Sequence, residues 1–368
     1  MTVAPALQER RASRNEPTPQ PPIRLLIVDD SSVARAVLSR MIASQPDLQV
    51  AATAGSPAEA LDALRSVCVD IVLLDVEMPG GNGLEALPDI LRLGRGARVM
   101  VVSSLAEEGA EATVRALALG AADTLPKPGT GMFGGRFSQI LAERLRRIGR
   151  APRDACDDPA PAVPPLRLRD APDGPPTCIA IGASTGGIHA INEFLSQLPT
   201  RLHAPILVTQ HLPALFMPHF ARQIAAASGR EARVVEDGER IEPETIYVAP
   251  GFAHFLVDQR ADVVRARLGT EPAPSGCLPS VDPMLRSVAA TYGRGAVAVV
   301  LSGMGRDGAV GSEEIARAGG TVLAQDRFSC AIWGMPRAVA EAGLASAVLP
   351  PRDLARRIAA RIGMKPWK

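Results

Sequence analysis

Short apolar runs, each stopping on a polar residue and giving way to a segment with helical periodicity, recur along almost the whole chain of 368 residues. Ile23–Val28 stops at Asp29-Asp30, and Ser31 is a good N-cap for the segment carrying Val33, Val37, Leu38 and Met41. Further strands are read at Val50–Ala54, Asp70–Leu74 (ending on Asp75), Arg98–Val102 (ending on Ser103) and a short run ending at Lys127-Pro128. Helices are expected over 57–67, from Leu84, over 107–119 and over about 136–148. Strand alternating with helix predicts a parallel, doubly wound α/β sheet, order 2-1-3-4-5, whose ligands bind beyond the carboxyl ends of the strands.

Asp29, Asp30 and Asp75 stand at those strand ends. Three carboxylates converging on one crevice repel one another unless a cation sits among them, and an oxygen-only set suits Mg²⁺. Lys127 would supply a fixed positive charge and Ser103 a hydroxyl donor, which is what a transferring phosphoryl group requires. In this order the five residues make 23–148 resemble a response-regulator receiver domain. The resemblance implies that Asp75 accepts a phosphoryl group from a histidine kinase, that Asp29, Asp30 and Asp75 hold Mg²⁺, and that Ser103 and Lys127 form the switch. One position departs: Thr124 stands where receivers usually carry an aromatic residue, so that part of the switching mechanism is not carried over.

Residues 1–22 show no periodicity and read as a disordered tail. Residues 149–176 hold Pro152, Pro159, Pro161, Pro164, Pro165, Pro172, Pro175 and Pro176 and read as an extended linker. A second domain is expected over 177–366. It opens on Cys178–Gly187, where an apolar run meets a Gly-rich turn and a helix follows. A Ser there stands beside free backbone N–H groups, so Ser184 either borders an anion site or is a nucleophile with an oxyanion hole at hand. His211 follows the next strand (Pro205–Thr209) and Asp307 follows the apolar strand Ala296–Leu301. Ser, His and Asp are the residue set of nucleophilic acyl transfer, although their order here differs from that of α/β-hydrolases. A phosphate- or dinucleotide-binding turn is the rival; it lacks an acidic residue at the next strand end, where His211 stands. Asp282 and Asp326 compete for the third role; the glycines flanking Asp307 favour it. His189 and His219 fall on helices and His254 on a hairpin, where surface or core histidines are expected. A hairpin over 255–257 and 263–266 makes this a larger, mostly parallel α/β domain with an antiparallel insertion.

Gly182–Gly187, Gln210-His211-Leu212-Pro213, Pro279-Ser280-Val281-Asp282, Leu301–Ala309 and Trp333-Gly334-Met335-Pro336 together resemble the catalytic domain of the chemotaxis protein-glutamate methylesterases. The resemblance implies a catalytic triad of Ser184, His211 and Asp307, with backbone amides near Thr185 and Met304 as the oxyanion hole. It also implies hydrolysis of glutamate γ-methyl esters, and deamidation of glutamine, on chemoreceptor cytoplasmic helices, gated by phosphorylation and with no cofactor in the catalytic domain. A receiver-gated binding module or nucleotide-binding domain without hydrolase activity is the alternative.

The formal net charge of +1 and 3% aromatic content argue against nucleic acid as a partner. Five cysteines, at 68, 156, 178, 277 and 330, form no Cys-x-x-Cys pair and read as reduced thiols. No signal-peptide pattern and no membrane-length apolar run is seen, so a cytoplasmic monomer without direct membrane insertion is expected.

Overall fold

A computed structural model of the chain describes residues 21–78, 83–103, 107–127, 135–150, 166–199 and 201–362; the side chains of 103, 107, 108, 126 and 136 are not among what it describes. The first sheet takes the expected order β2-β1-β3-β4-β5, with β1 Ile23–Val28, β2 Leu48–Ala54, β3 Ile71–Leu74, β4 Arg98–Ser103 and β5 Asp123–Pro126. All its pairings are parallel. The connecting helices are α1 Ser32–Ala43, α2 Pro57–Ser66, α3 Gly83–Leu93, α4 Glu107–Ala118 and α5 Gly135–Gly149. Ser31 caps α1 by accepting the Ala34 amide at 3.2 Å, and Ser56 caps α2 ahead of a proline at its first position. β3 is apolar throughout and fully buried, as a central parallel strand with helices on both faces requires.

The second sheet has seven strands in the order β14-β13-β12-β6-β7-β9-β8. In chain order these are β6 Cys178–Ala183, β7 Ile206–Gln210, β8 Ala232–Val234, β9 Ile246–Val248, β12 Ala296–Val300, β13 Thr321–Gln325 and β14 Ala347–Leu349. The antiparallel insertion is the hairpin β10 His254–Arg260 with β11 Val263–Gly269, which pairs as a separate two-stranded sheet. The helices are α6 Gly187–Leu195, α7 Met217–Ser228, α8 Val281–Tyr292, α9 Ala309–Arg317, α10 Met335–Glu341 and α11 Pro351–Ala359. Strand order reverses between β6 and β12, so the crevice of this sheet opens beyond their carboxyl ends.

The two sheets share buried surface. One apolar cluster runs from Leu74, Val114 and Leu117 of the first domain into Ile188, Phe216 and Phe220 of the second. Burying side chains of this size contributes about 1.5–3 kcal/mol each. Polar bonds cross the same boundary: the Gly186 amide donates to the Ala122 carbonyl at 2.7 Å, and His189 Nδ1 lies 3.0 Å from the Ala118 carbonyl oxygen. Of the expected linker, the described stretch 166–176 lies along the second domain, where the Arg169 amide donates to Ala345 O and Arg361 Nε donates to Gly174 O. Most of the expected tail, and residues 151–165, lie outside the described residues.

Candidate active site

Ser184 leaves the end of β6 on a turn that only small residues can make. Gly186 sits at φ +74°, and a Cβ there would stand 2.4 Å from the Ala331 Cβ and 2.9 Å from Ser302 Oγ. Gly303 lies so close that a Cβ on it would come within 2.9 Å of the Ser184 Cβ. The Ser184 amide donates to Ser302 O at 3.0 Å, and Gln210 Nε2 donates to Ser184 O at 2.8 Å, which fixes the backbone under the hydroxyl. Ser302 Oγ donates to Thr185 O and accepts the Ile332 amide.

His211 follows β7 and places Nε2 2.8 Å from Asp307 Oδ2. Burial alone would depress the imidazole pKa. The hydrogen bonds to the Asp307 carboxylate and the Cys277 sulfur outweigh burial and bring it to about 9. Asp307 is 2% exposed and is held by donors: the Ser280 hydroxyl at 2.7 Å, the Val281 amide at 2.8 Å and the Asp282 amide at 3.2 Å. Burial pushes its pKa up, but His211, Val281 and Ser280 outweigh that and hold it below the usual carboxylate range. These amides belong to the start of α8, so the carboxylate sits on a helix N-terminus. Asp282, one of the rivals for this role, instead accepts the Gly311 amide of α9 at 2.7 Å, and burial raises its pKa. Asp326 is tied to its own turn, accepting from Phe328 N, Ser329 N and Ser329 Oγ. His254 is buried between the Ser280 amide and Glu271 O, while His189 and His219 lie on α6 and α7 at the domain boundary.

Ser184, His211, Thr185 and Met304 line one crevice of about 430 Å³. Among the described residues the amides of Thr185 and Met304 donate to no backbone carbonyl. The first domain supplies the opposite wall through Thr124, Arg144 and Arg147. Arg144 pairs with Asp123 at 3.3 Å and donates to the Thr124 carbonyl. Among the described residues the buried Thr124 hydroxyl has no hydrogen-bond partner.

At the far end of the first sheet, carboxylate oxygens of Asp29, Asp30 and Asp75 lie within 4.8 Å of one another. Asp29 and Asp75 are buried and Asp30 is exposed. Lys127 Nζ lies 2.5 Å from Asp75 Oδ2 and 3.1 Å from Asp29 Oδ2. Burial raises the Asp75 pKa, against the opposing pull of Lys127. Ser103 ends β4 as expected, but its side chain lies outside the described residues.

Two family models match the chain: the response regulator receiver domain over residues 25–131 and the CheB methylesterase over 179–358. A protein-glutamate methylesterase/protein-glutamine glutaminase of Azospirillum brasilense is 40% identical over 358 residues, covering 90% of this chain and 91% of that protein. The chain belongs to the CheB methylesterase family. A namesake in Bordetella parapertussis is 41% identical over 347 residues, covering 93% of this chain and 97% of its own. Among solved structures, the Thermotoga maritima CheB methylesterase catalytic domain aligns with a TM-score of 0.50 at 33% identity, covering 51% of this chain and 99% of that one.

Within this CheB methylesterase chain, two site residues escaped the sequence reading. Ser280 stands in the Pro279-Ser280-Val281-Asp282 motif, and its position just before a helix is the signal that marks it as a donor to a buried acid. Cys277 sits beside His211 through a loop that brings 277 and 211 together, and no local pattern predicts that contact.

Proposed function

We propose that the protein hydrolyses γ-methyl esters of glutamate side chains, and deamidates glutamine side chains, on the cytoplasmic helices of chemoreceptors. The observation that carries this is the 2.8 Å contact of His211 Nε2 with Asp307, in one crevice with Ser184, Thr185 and Met304. Asp307 holds Nε2–H, so Nδ1 is the nitrogen left to take the Ser184 proton. Ser184 Oγ attacks the ester carbonyl, and the oxygen that gains the electron pair faces the amides of Thr185 and Met304. His211 returns the proton to the departing methoxy group, methanol leaves, and an acyl-enzyme remains. Water, deprotonated by His211, then releases the glutamate carboxylate and restores Ser184. With a glutamine substrate the leaving group is ammonia and the acyl intermediate is the same.

The receiver, proposed as 23–148, governs this site in the catalytic domain, proposed as 177–366, with 149–176 as tether and 1–22 as a tail. Its carboxylate trio is an oxygen-donor set of the kind Mg²⁺ takes, and two of the three acids are buried, with Lys127 reaching both. When bound, Mg²⁺ would neutralise phosphoryl charge at Asp75, which we propose accepts the group from a phosphohistidine kinase. Ser103 and Lys127 are the proposed switch residues. β5 lies between Lys127 at one end and Ala122, whose carbonyl occupies the Gly186 amide, at the other. A shift of β5 on phosphorylation would release that amide and withdraw Thr124 and Arg144 from the crevice. A cytoplasmic, monomeric enzyme suits these partners; among the described residues no helix is long and apolar enough to cross a membrane. The test is methanol release from methylated receptor by the wild type and by Ser184→Ala. Retained release in the variant would overturn the nucleophile assignment.

A further inference from the structure

Cys277 is a thiol of the crevice to which ester hydrolysis assigns no bond-making step. It is partly exposed and lines the same 430 Å³ cavity as Ser184 and His211. Its sulfur, a ring nitrogen of His211 and a carboxylate oxygen of Asp307 all lie within 4.8 Å of one another. A thiolate, an imidazole and a carboxylate are the donor types that Zn²⁺ selects, whereas Mg²⁺ prefers oxygen alone. Tetrahedral zinc with bonds of about 2.0–2.3 Å sets its ligands roughly 3.3–3.8 Å apart, so the cluster needs shifts of about 1 Å. Cys277 stands on a partly exposed loop that can give; its sulfur faces His211 and makes a 3.8 Å contact to the Ser275 carbonyl. Asp307 is braced by Ser280, Val281 and Asp282, which is the support a ligating carboxylate needs. The fourth position would face the cavity, open to water or to the Ser184 hydroxyl.

We propose that Cys277, His211 and Asp307 form a Zn²⁺ site, and that zinc bound there shuts off the hydrolase. On binding, the thiol proton passes to solvent, the Nε2 proton of neutral His211 moves to Nδ1 so that the ring ligates through Nε2, and the His211–Asp307 hydrogen bond is replaced by two metal bonds. His211 can then neither move toward Ser184 nor exchange protons with it. The inhibitory part rests on the proposed hydrolase reading; the binding part does not.

The test uses the full-length protein under reducing conditions, with excess Mg²⁺ present. Zn²⁺ is titrated against a competing chromophoric chelator. Wild type and Ser184→Ala should each take one Zn²⁺ per chain that Cys277→Ser and Cys277→Ala do not. Methanol release by the wild type should fall roughly tenfold when free Zn²⁺ exceeds Kd about tenfold, as mass action on one site requires, and should recover with EDTA. Each Cys277 variant, compared with its own zinc-free rate, should be insensitive. Equal zinc affinity in the Cys277 variants would overturn the proposal, as would loss of the bound zinc in Asp30→Asn. If zinc binds through Cys277 but zinc-free wild type releases no methanol, the metal site stands and the hydrolase reading falls.

Discussion

Ser184 carries a hydroxyl whose ordinary nucleophilicity is negligible at neutral pH, so everything the site does depends on His211. With the triad acting as a unit, Ser184→Ala should lower methanol release by a factor on the order of 10⁴, measured at saturating methylated receptor. The pH profile is a second expected outcome. His211 works as a base only when unprotonated, and its pKa is brought to about 9 by Asp307 and the Cys277 sulfur. Activity of the free enzyme should therefore climb through about pH 9, alkaline of the 6.5 of an ordinary imidazole. An acid limb at or below 6.5 in kcat/KM would show that those two contacts do not set the proton affinity. His211 and Asp307 could be nominated from sequence because strand ends gather function in α/β sheets. The choice of Asp307 over Asp282 rested on flanking glycines, but the physical ground is the set of donors on α8 that hold Asp307.

At the scale of elements, α8 and α9 exchange carboxylates: Asp307, before α9, takes the first amides of α8, and Asp282, in the first turn of α8, takes the Gly311 amide of α9. Each helix thus neutralises the other's N-terminal donors, and the pairing fixes where Asp307 points. Asp282→Ala should cost about 0.5–2 kcal/mol, read as a shift in the denaturant midpoint. An unchanged midpoint would mean that Gly311 finds water as readily as the carboxylate. The strands and helices themselves were legible, because apolar runs and helical periodicity set them locally: β1, α2 and β6 begin or end within a residue or two of where composition changes. The helix exchange is not legible, since it joins residues 25 to 29 apart that have no common pattern. The same holds for the crevice wall formed by Thr124 and Arg144: the departure at Thr124 was visible in the sequence, but its place against the Ser184 turn was not.

For the whole molecule, the first domain covers the site of the second. The Ala122 carbonyl sits on the Gly186 amide, Ala118 O faces His189, and a shared apolar cluster joins the domains. On the proposed reading this wall restrains substrate entry, so removing residues 1–176 should raise the basal rate. A truncated protein no faster than the unphosphorylated full chain would show that the receiver does not restrain the site. The proposed route of communication is β5, which Lys127 and Ala122 flank. The central claim is that phosphorylation of Asp75 opens the Ser184 crevice. Methanol release from methylated receptor by the full-length protein, with and without a small phosphodonor and Mg²⁺, tests it most directly when repeated with Asp75→Asn. We predict a marked rise with phosphodonor in the wild type and none in Asp75→Asn; equal rates with and without phosphodonor in the wild type, or an equal rise in the variant, would contradict the account.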